Sequence, residues 1–219
     1  MAQNVFNWLD ERLDLKGIYE TILNRKVPKV NWWFTLGSAS LFLGAMQGIT
    51  GILLSIYYVP TPDHAYDSIT YIMTGVKFGW LIRGLHHWGA SLLILTAFIH
   101  MLRVFFYGAY KYPREFTWIT GVVLLISALG MGFTGYLLPW NQRSYWATTV
   151  GTEIAGTVPG IGDFILRVLR GGTDLSAVTL SRFFALHIWI IPAIVLAIVF
   201  IHLYLVIRLG ISNIPDQDS

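Results

Sequence analysis

Four stretches of this chain, at about 32–58, 79–106, 116–138 and 180–209, each run for more than twenty residues without a single Asp or Glu. At about 1.5 Å of helical rise per residue, each can cross roughly 30 Å of hydrocarbon. In that solvent every backbone N–H and C=O must be satisfied within its own segment, which leaves helices as the solution. The expected fold is therefore an all-α membrane protein, a four-transmembrane-helix bundle. Composition agrees, with 55% hydrophobic and only 12% charged residues, about half the charged share of a soluble domain. Trp32, Trp33, Tyr57, Tyr58, Trp80, Trp118 and Trp140 stand at span ends, where aromatic rings suit the headgroup level.

Residues 1–219 read as one domain. Segment 1–31 is the most charged, yet Val5, Trp8, Leu9, Leu13, Ile18 and Ile22 recur at roughly helical spacing. An N-terminal amphipathic helix lying in the membrane interface is expected there, and its acidic residues argue against a signal peptide. The loop at about 139–179 is long enough for surface helices. Lys and Arg concentrate in 1–31 and 103–117, with Lys77 alone in the first loop, so both termini are expected on the cytoplasmic side. The net charge of +3 belongs to loops and predicts no nucleic-acid partner. With no cysteine, the chain can form neither disulfides nor thiolate metal sites, and it cannot attach a haem through thioethers.

Histidine spacing gives the bundle a purpose. His86 and His100 are fourteen residues apart in the second span, and His187 and His202 fifteen apart in the fourth. Fourteen helical steps return to within roughly 40° of the starting face and separate the rings by roughly 21 Å. The second and fourth spans run parallel in this topology, so His86 pairs with His187 at one depth and His100 with His202 at the other. A planar cofactor between each pair would give two stacked sites, and bis-histidine ligation of haem iron needs no further protein ligand. A zinc or iron transporter would need oxygen or sulfur ligands, and the spans contain no acid. His87 lacks a periodic partner.

The other two spans carry glycines at the same interval, Gly37 and Gly51 in the first and Gly121 and Gly135 in the third. They would let a large flat ring approach the backbone, or would only permit close helix packing. Arg83 and Arg103 lie three residues outside His86 and His100, and Arg182 five before His187. Each could pair with haem propionates or simply snorkel to the interface. Pro192, between the two histidines of the fourth span, should bend that helix. His64, in the 60–63 turn region, reads as a solvated loop residue.

The strings Gly79-Trp80-Leu81-Ile82-Arg83 with His86, Lys111-Tyr112-Pro113-Arg114-Glu115, Thr117-Trp118-Ile119-Thr120-Gly121-Val122, Thr134-Gly135-Tyr136-Leu137-Leu138-Pro139-Trp140, Leu180-Ser181-Arg182-Phe183 and Gly210-Ile211-Ser212 closely resemble the cytochrome b/b6 family. The likeness is to cytochrome b6, the N-terminal half of a split cytochrome b in cytochrome bc-type quinol oxidoreductase complexes. It covers nearly the whole chain, and the fifteen-residue histidine step is the b6-type spacing.

The resemblance implies a diheme electron carrier that works in a Q cycle coupled to proton translocation, active only as a subunit of a quinol:cytochrome c (or plastocyanin-like acceptor) oxidoreductase of a respiratory chain. It implies that His86 and His187 ligate a low-potential b-type haem near the outer face, and His100 and His202 a high-potential one near the inner face. Quinol would be oxidised beside the outer haem in a pocket including Tyr136, Pro139 and a surface helix at about 143–154. Implied partners are a C-terminal cytochrome b half resembling subunit IV, a Rieske iron–sulfur protein, a c-type cytochrome and a second copy in a dimeric complex, all within membrane lipid. The family's b6 branch holds an extra c-type haem through a Cys where this chain has Thr35, so no covalent haem is expected, and a bacterial cell membrane is the expected location. Asn141 replaces the family's Asp, and Ile207 followed by Arg208 replaces its Arg. Two other classes compete: a diheme membrane anchor of a dehydrogenase or hydrogenase, and a histidine-based proton or metal transporter.

Overall fold

The computed structural model describes residues 5, 7, 8, 10, 11, 15–20 and 31–212. Within the predicted interfacial segment, α1 (Leu15–Ile18) is helical, while Leu9, Leu13, Ile22 and most of that expectation lie outside the described residues. The remaining elements are a 3-10 turn (Trp32–Thr35), α2 (Leu36–Ser55), α3 (Ala65–Thr74), α4 (Gly79–Phe106), α5 (Glu115–Leu137), α6 (Gln142–Gly156), α7 (Gly162–Arg170), α8 (Ala177–Ala185), a π-turn (Leu186–Ile190) and α9 (Ile191–Leu209). Four helical segments are long and apolar enough to cross a membrane: Trp32–Ser55, Gly79–Phe106, Glu115–Leu137 and the continuous run Ala177–Leu209. Among the described residues there is no strand.

Local chemistry sets the boundaries. The Asn31 side chain accepts from Trp33 N–H at 3.2 Å and opens the first span. Asn141 opens α6 with a reciprocal capping box, accepting from Ser144 N–H at 2.9 Å while the Asn141 N–H donates to Ser144 Oγ at 3.0 Å. Asn and Asp cap equally well, so the departure from the family's Asp is neutral for this helix start. Ser176 and Thr179 form the same box at α8. At the far end of the fourth span, Gly210 takes φ +73°, a conformation that suits glycine. There Arg114 donates to the carbonyls of Gly210 and Leu209 at 3.3 and 3.5 Å, binding the α4–α5 loop to the end of α9.

The bundle is two tight helix pairs. α2 lies along α4 and α5 along α9, whereas contact between α4 and α9 is sparse among the described residues. Small residues allow the close approach: Gly89 of α4 sits against Met46 and Gln47 of α2. The Gln47 amide donates to the His86 carbonyl at 2.9 Å and accepts from Ala90 N–H at 3.1 Å, and Ser40 bonds Thr96 at 3.3 Å.

Among the described residues, a compact apolar core sits at an end of the bundle. Ala65, Leu137, Leu180 and Phe183 are buried there with Tyr58, Phe133, Leu138, Trp140 and Leu169 packed around them. Within the first loop, α3 supplies Ala65 to this core and also buries Ser68 and Ile72. The Tyr58 hydroxyl donates to the Leu138 carbonyl at 2.6 Å, and burial raises its pKa above the usual range, so it stays a donor.

The loop between α5 and α8 is locked by a buried charge. Arg170, 5% exposed, donates to Thr152 Oγ1 at 2.8 Å, the Thr173 carbonyl at 2.8 Å, the Thr149 carbonyl at 2.9 Å and Glu153 Oε1 at 3.4 Å. The guanidinium fork matches several acceptors that an ammonium cannot span. Arg170→Lys and Arg170→Ala should each destabilise the α6–α7 hairpin, the alanine by about 2–4 kcal/mol given the charged hydrogen bonds lost. Thermal unfolding in detergent with limited proteolysis of 157–162 is the check; unchanged midpoints for both variants would contradict this role.

Candidate functional site: two levels of facing imidazoles

The spacing argument meets one complication, because fifteen residues on a regular helix would overshoot the histidine register by one step. The π-turn Leu186–Ile190 removes it. Such a turn inserts one extra residue into an α-helix, so the step from His187 to His202 turns the chain as fourteen α-helical residues would. Pro192 follows directly, near the start of α9, where its missing N–H needs no partner in the preceding turn. A local change of helix type thus lies on His187 itself, directly before Pro192.

The two histidine helices face one another through their rings. The His86 and His187 ring centres are 6.2 Å apart with planes at 80°. Two metal–nitrogen bonds of about 2 Å, plus about 1.1 Å from each nitrogen to its ring centre, would require about 6 Å. His202 lies within electrostatic reach of His100 at the second level. Among the described residues no three His, Cys, Asp or Glu side chains converge. The protein therefore offers two imidazoles per level, opposed across 6.2 Å at the His86–His187 level, a donor set that suits a metal carrying its own equatorial ligands.

Each of the four glycines confronts one imidazole. A Cβ added at Gly51 would lie 3.2 Å from His86 Cε1, at Gly37 3.1 Å from His100 Cε1, at Gly121 3.4 Å from His202 Cε1 and at Gly135 2.6 Å from His187 Cε1. Both helices of each pair thus share the fourteen-residue period, glycine on one answering histidine on the other. The room these glycines create is occupied in part by the imidazole edges, a use distinct from both the flat ring and the plain helix packing that the sequence suggests.

The rings are also held by hydroxyls that the sequence reading missed. Thr50, Thr134 and Thr120 place Oγ1 at 2.9, 3.2 and 2.9 Å from Nδ1 of His86, His187 and His202. A signal was present, since Thr immediately precedes Gly in Thr50-Gly51, Thr120-Gly121 and Thr134-Gly135. With Nδ1 engaged, Nε2 is the nitrogen left to bind a metal.

The arginines differ in placement. Arg103 lies over the Phe34 ring, 4.4 Å from its centre, with a buried Nε that has no hydrogen-bond partner. Arg83 reaches Met73 Sδ at 3.7 Å. Arg182 donates to the carbonyls of Arg167 and Val168, capping the end of α7. Tyr136 follows Gly135 and is 43% exposed. Pro139 lies between Leu138, whose carbonyl is held by Tyr58, and Trp140, whose φ of +48° reverses the chain. His87 and His64 are exposed, in keeping with their lack of partners. Thr35 closes the 3-10 turn, its hydroxyl donating to the Trp32 carbonyl at 2.7 Å.

Known proteins resemble this chain along nearly its whole length. The family model described as cytochrome b/b6/petB matches residues 22–210. The menaquinol:cytochrome c reductase cytochrome b subunit of Geobacillus thermodenitrificans is 42% identical over 97% of this chain and 99% of its own length. Cytochrome b6 of Prochlorococcus marinus is 40% identical over 95% and 96%. A chain of a hyperthermophilic respiratory Complex III superposes with a TM-score of 0.86 at 37% identity, covering 97% of this chain but 58% of that longer one. By the extent of these matches, the chain belongs to the cytochrome b/b6 family.

Proposed function

We propose that this chain is the diheme cytochrome b subunit of a cytochrome bc-type, b6-like complex that oxidises quinol. The observation that carries the proposal is the pair of opposed imidazoles 6.2 Å apart at the His86–His187 level, and the sequence spacing of His100 and His202 supports a second pair. His86 and His187 hold one non-covalent b-type haem, and His100 and His202 the other. When bound, the two groups supply one-electron carriers at two depths of the membrane.

The chain's own residues do the rest. Gly37, Gly51, Gly121 and Gly135 keep the backbone clear of the imidazoles and the cofactor edge. Arg103, with its unpartnered Nε, offers a cation to a propionate at the inner level, and Arg83 and Arg182 lie toward the outer one. Tyr136 and Pro139 border the quinol-oxidation pocket, at the end of the bundle closed by the apolar core. Lacking any cysteine, the chain holds no covalent c-type haem at Thr35. Both termini face the cytoplasm of a bacterial cell, as the distribution of Lys and Arg supports.

The solved Complex III chain extends well beyond the matched part. The partners are a subunit resembling the C-terminal half of cytochrome b, and a Rieske iron–sulfur protein and a c-type cytochrome that take the electrons within a dimeric complex. The dehydrogenase-anchor and transporter alternatives gain no support from the relatives found.

A pyridine haemochrome assay on the purified complex, before and after acidic acetone extraction, should give two extractable haems per chain; a well-folded complex without haem would overturn the proposal. His100→Leu should lose the inner haem and leave the outer one reducible by quinol, whereas full occupancy of both would refute the pairing. Gly135→Ala places a methyl 2.6 Å from an imidazole edge that an iron would hold fixed, so occupancy at that level should fall by half or more. Gly121→Ala makes an ordinary contact at 3.4 Å and should retain both haems. Difference spectra normalised to polypeptide read the contrast.

A further inference from the structure

The fourteen-residue register carries four copies of one contact, and one copy is incomplete. Gly51, Gly135 and Gly121 each face a histidine and are each preceded by a threonine whose Oγ1 meets that histidine's Nδ1. Each of these hydroxyls spends its own proton on a helix carbonyl, Met46 at 2.6 Å, Gly130 at 2.8 Å and Phe116 at 3.0 Å. With Nε2 given to a metal, Nδ1 carries the proton and the oxygen is left to accept it, while the Gln47 amide nitrogen, 3.2 Å from His86 Nδ1, donates to the His86 carbonyl instead. The carbonyls of Gln47, Met131 and Thr117, three residues before each threonine, face the same rings.

Gly37 faces His100 in the same way, but the residue before it is Leu36. The Leu36 carbonyl accepts from Ser40 Oγ at 2.9 Å. His100 Nδ1 is buried without a hydrogen-bond partner. Buried polar atoms are nearly always satisfied, so the gap falls on the one ring where the repeat lacks its hydroxyl.

An acceptor on Nδ1–H makes imidazole a more basic metal ligand, and a more basic axial ligand favours Fe(III) over Fe(II) in the one-electron couple. We infer that Thr50, Thr134 and Thr120 are positioning residues that tune the axial imidazoles, and that Leu36 withholds this bond from His100. The haem held by His100 and His202, with one hydrogen-bonded ligand, is then more easily reduced than the haem held by His86 and His187, with two. The inference rests on the haem-ligand reading above and adds a cause for a potential difference between the two levels.

The test is a redox titration of the purified complex, each haem followed by its own spectrum. Threonine and valine are nearly the same size, so Leu36→Thr and Leu36→Val differ chiefly by the hydroxyl. Leu36→Thr should lower the potential of the His100–His202 haem relative to Leu36→Val, by roughly the 59 mV that corresponds to a tenfold one-electron change. The symmetric imidazole–iron–imidazole stretch in resonance Raman should rise at the same level. Conversely, Thr134→Val and Thr50→Val should raise the potential of the other haem, and Thr134→Ser should restore it. These variants decide the matter if position 36 does not accept threonine. Equal potentials for Leu36→Thr and Leu36→Val, or an unmoved haem in Thr134→Val, with two haems bound, would overturn the tuning and leave the function standing. Absence of haem from the unaltered complex would overturn the function first.

Discussion

An imidazole cannot share its space with a Cβ, and the packing of this bundle follows from that exclusion. Each histidine ring lies against a neighbouring helix, and at all four places the neighbour has glycine. The exclusion is tightest at Gly135 and eases to ordinary contact at Gly121, and the recurrence of histidines and glycines at matching intervals sets the register of α2 on α4 and of α5 on α9. Even the exception obeys it. The fifteen-residue step in the fourth span is brought back into phase by a π-turn at His187, so the backbone changes its winding to keep the rings in place.

Polar groups inside the spans are used sparingly and more than once. A threonine in a membrane helix has to dispose of its own hydroxyl proton, and Thr50, Thr134 and Thr120 give it to the preceding turn while turning their lone pairs to the rings. Arginines tie loops to helices: buried Arg170 holds the α6–α7 hairpin, half-buried Arg114 the end of α9 and exposed Arg182 the end of α7. At the end of α9 the carbonyls of Leu209 and Gly210 are of the kind a helix terminus leaves unpaired.

Much of this was legible in the residues because the bilayer reduces the possibilities to apolar length and helical period. The 79–106 span coincides with α4, and the other spans differ from the observed helices by a few residues where aromatic ends form a 3-10 turn or loop. The pairing of His86 with His187 follows from periodicity and topology alone. What escaped was tertiary. α3 is short, with Tyr66 and Tyr71 exposed and only Ala65, Ser68 and Ile72 turned inward, too faint a pattern to separate from a loop. The Thr–Gly pairs carry no meaning until it is known which glycine faces which ring. The role of Arg114 likewise depends on where the end of α9 lies, almost a hundred residues away.

The sparse contact between α4 and α9 bears on how such a chain is assembled. Each pair, α2 with α4 and α5 with α9, is closed by its own side chains, and the two pairs are joined by the apolar core at one end. Elsewhere α4 and α5 touch directly, with Gly132 close to Ile94, while α4 and α9 meet chiefly through imidazoles. The α4–α9 side is therefore where a group held by both imidazoles would clasp the two pairs together, so that binding it would add to the stability of the folded chain.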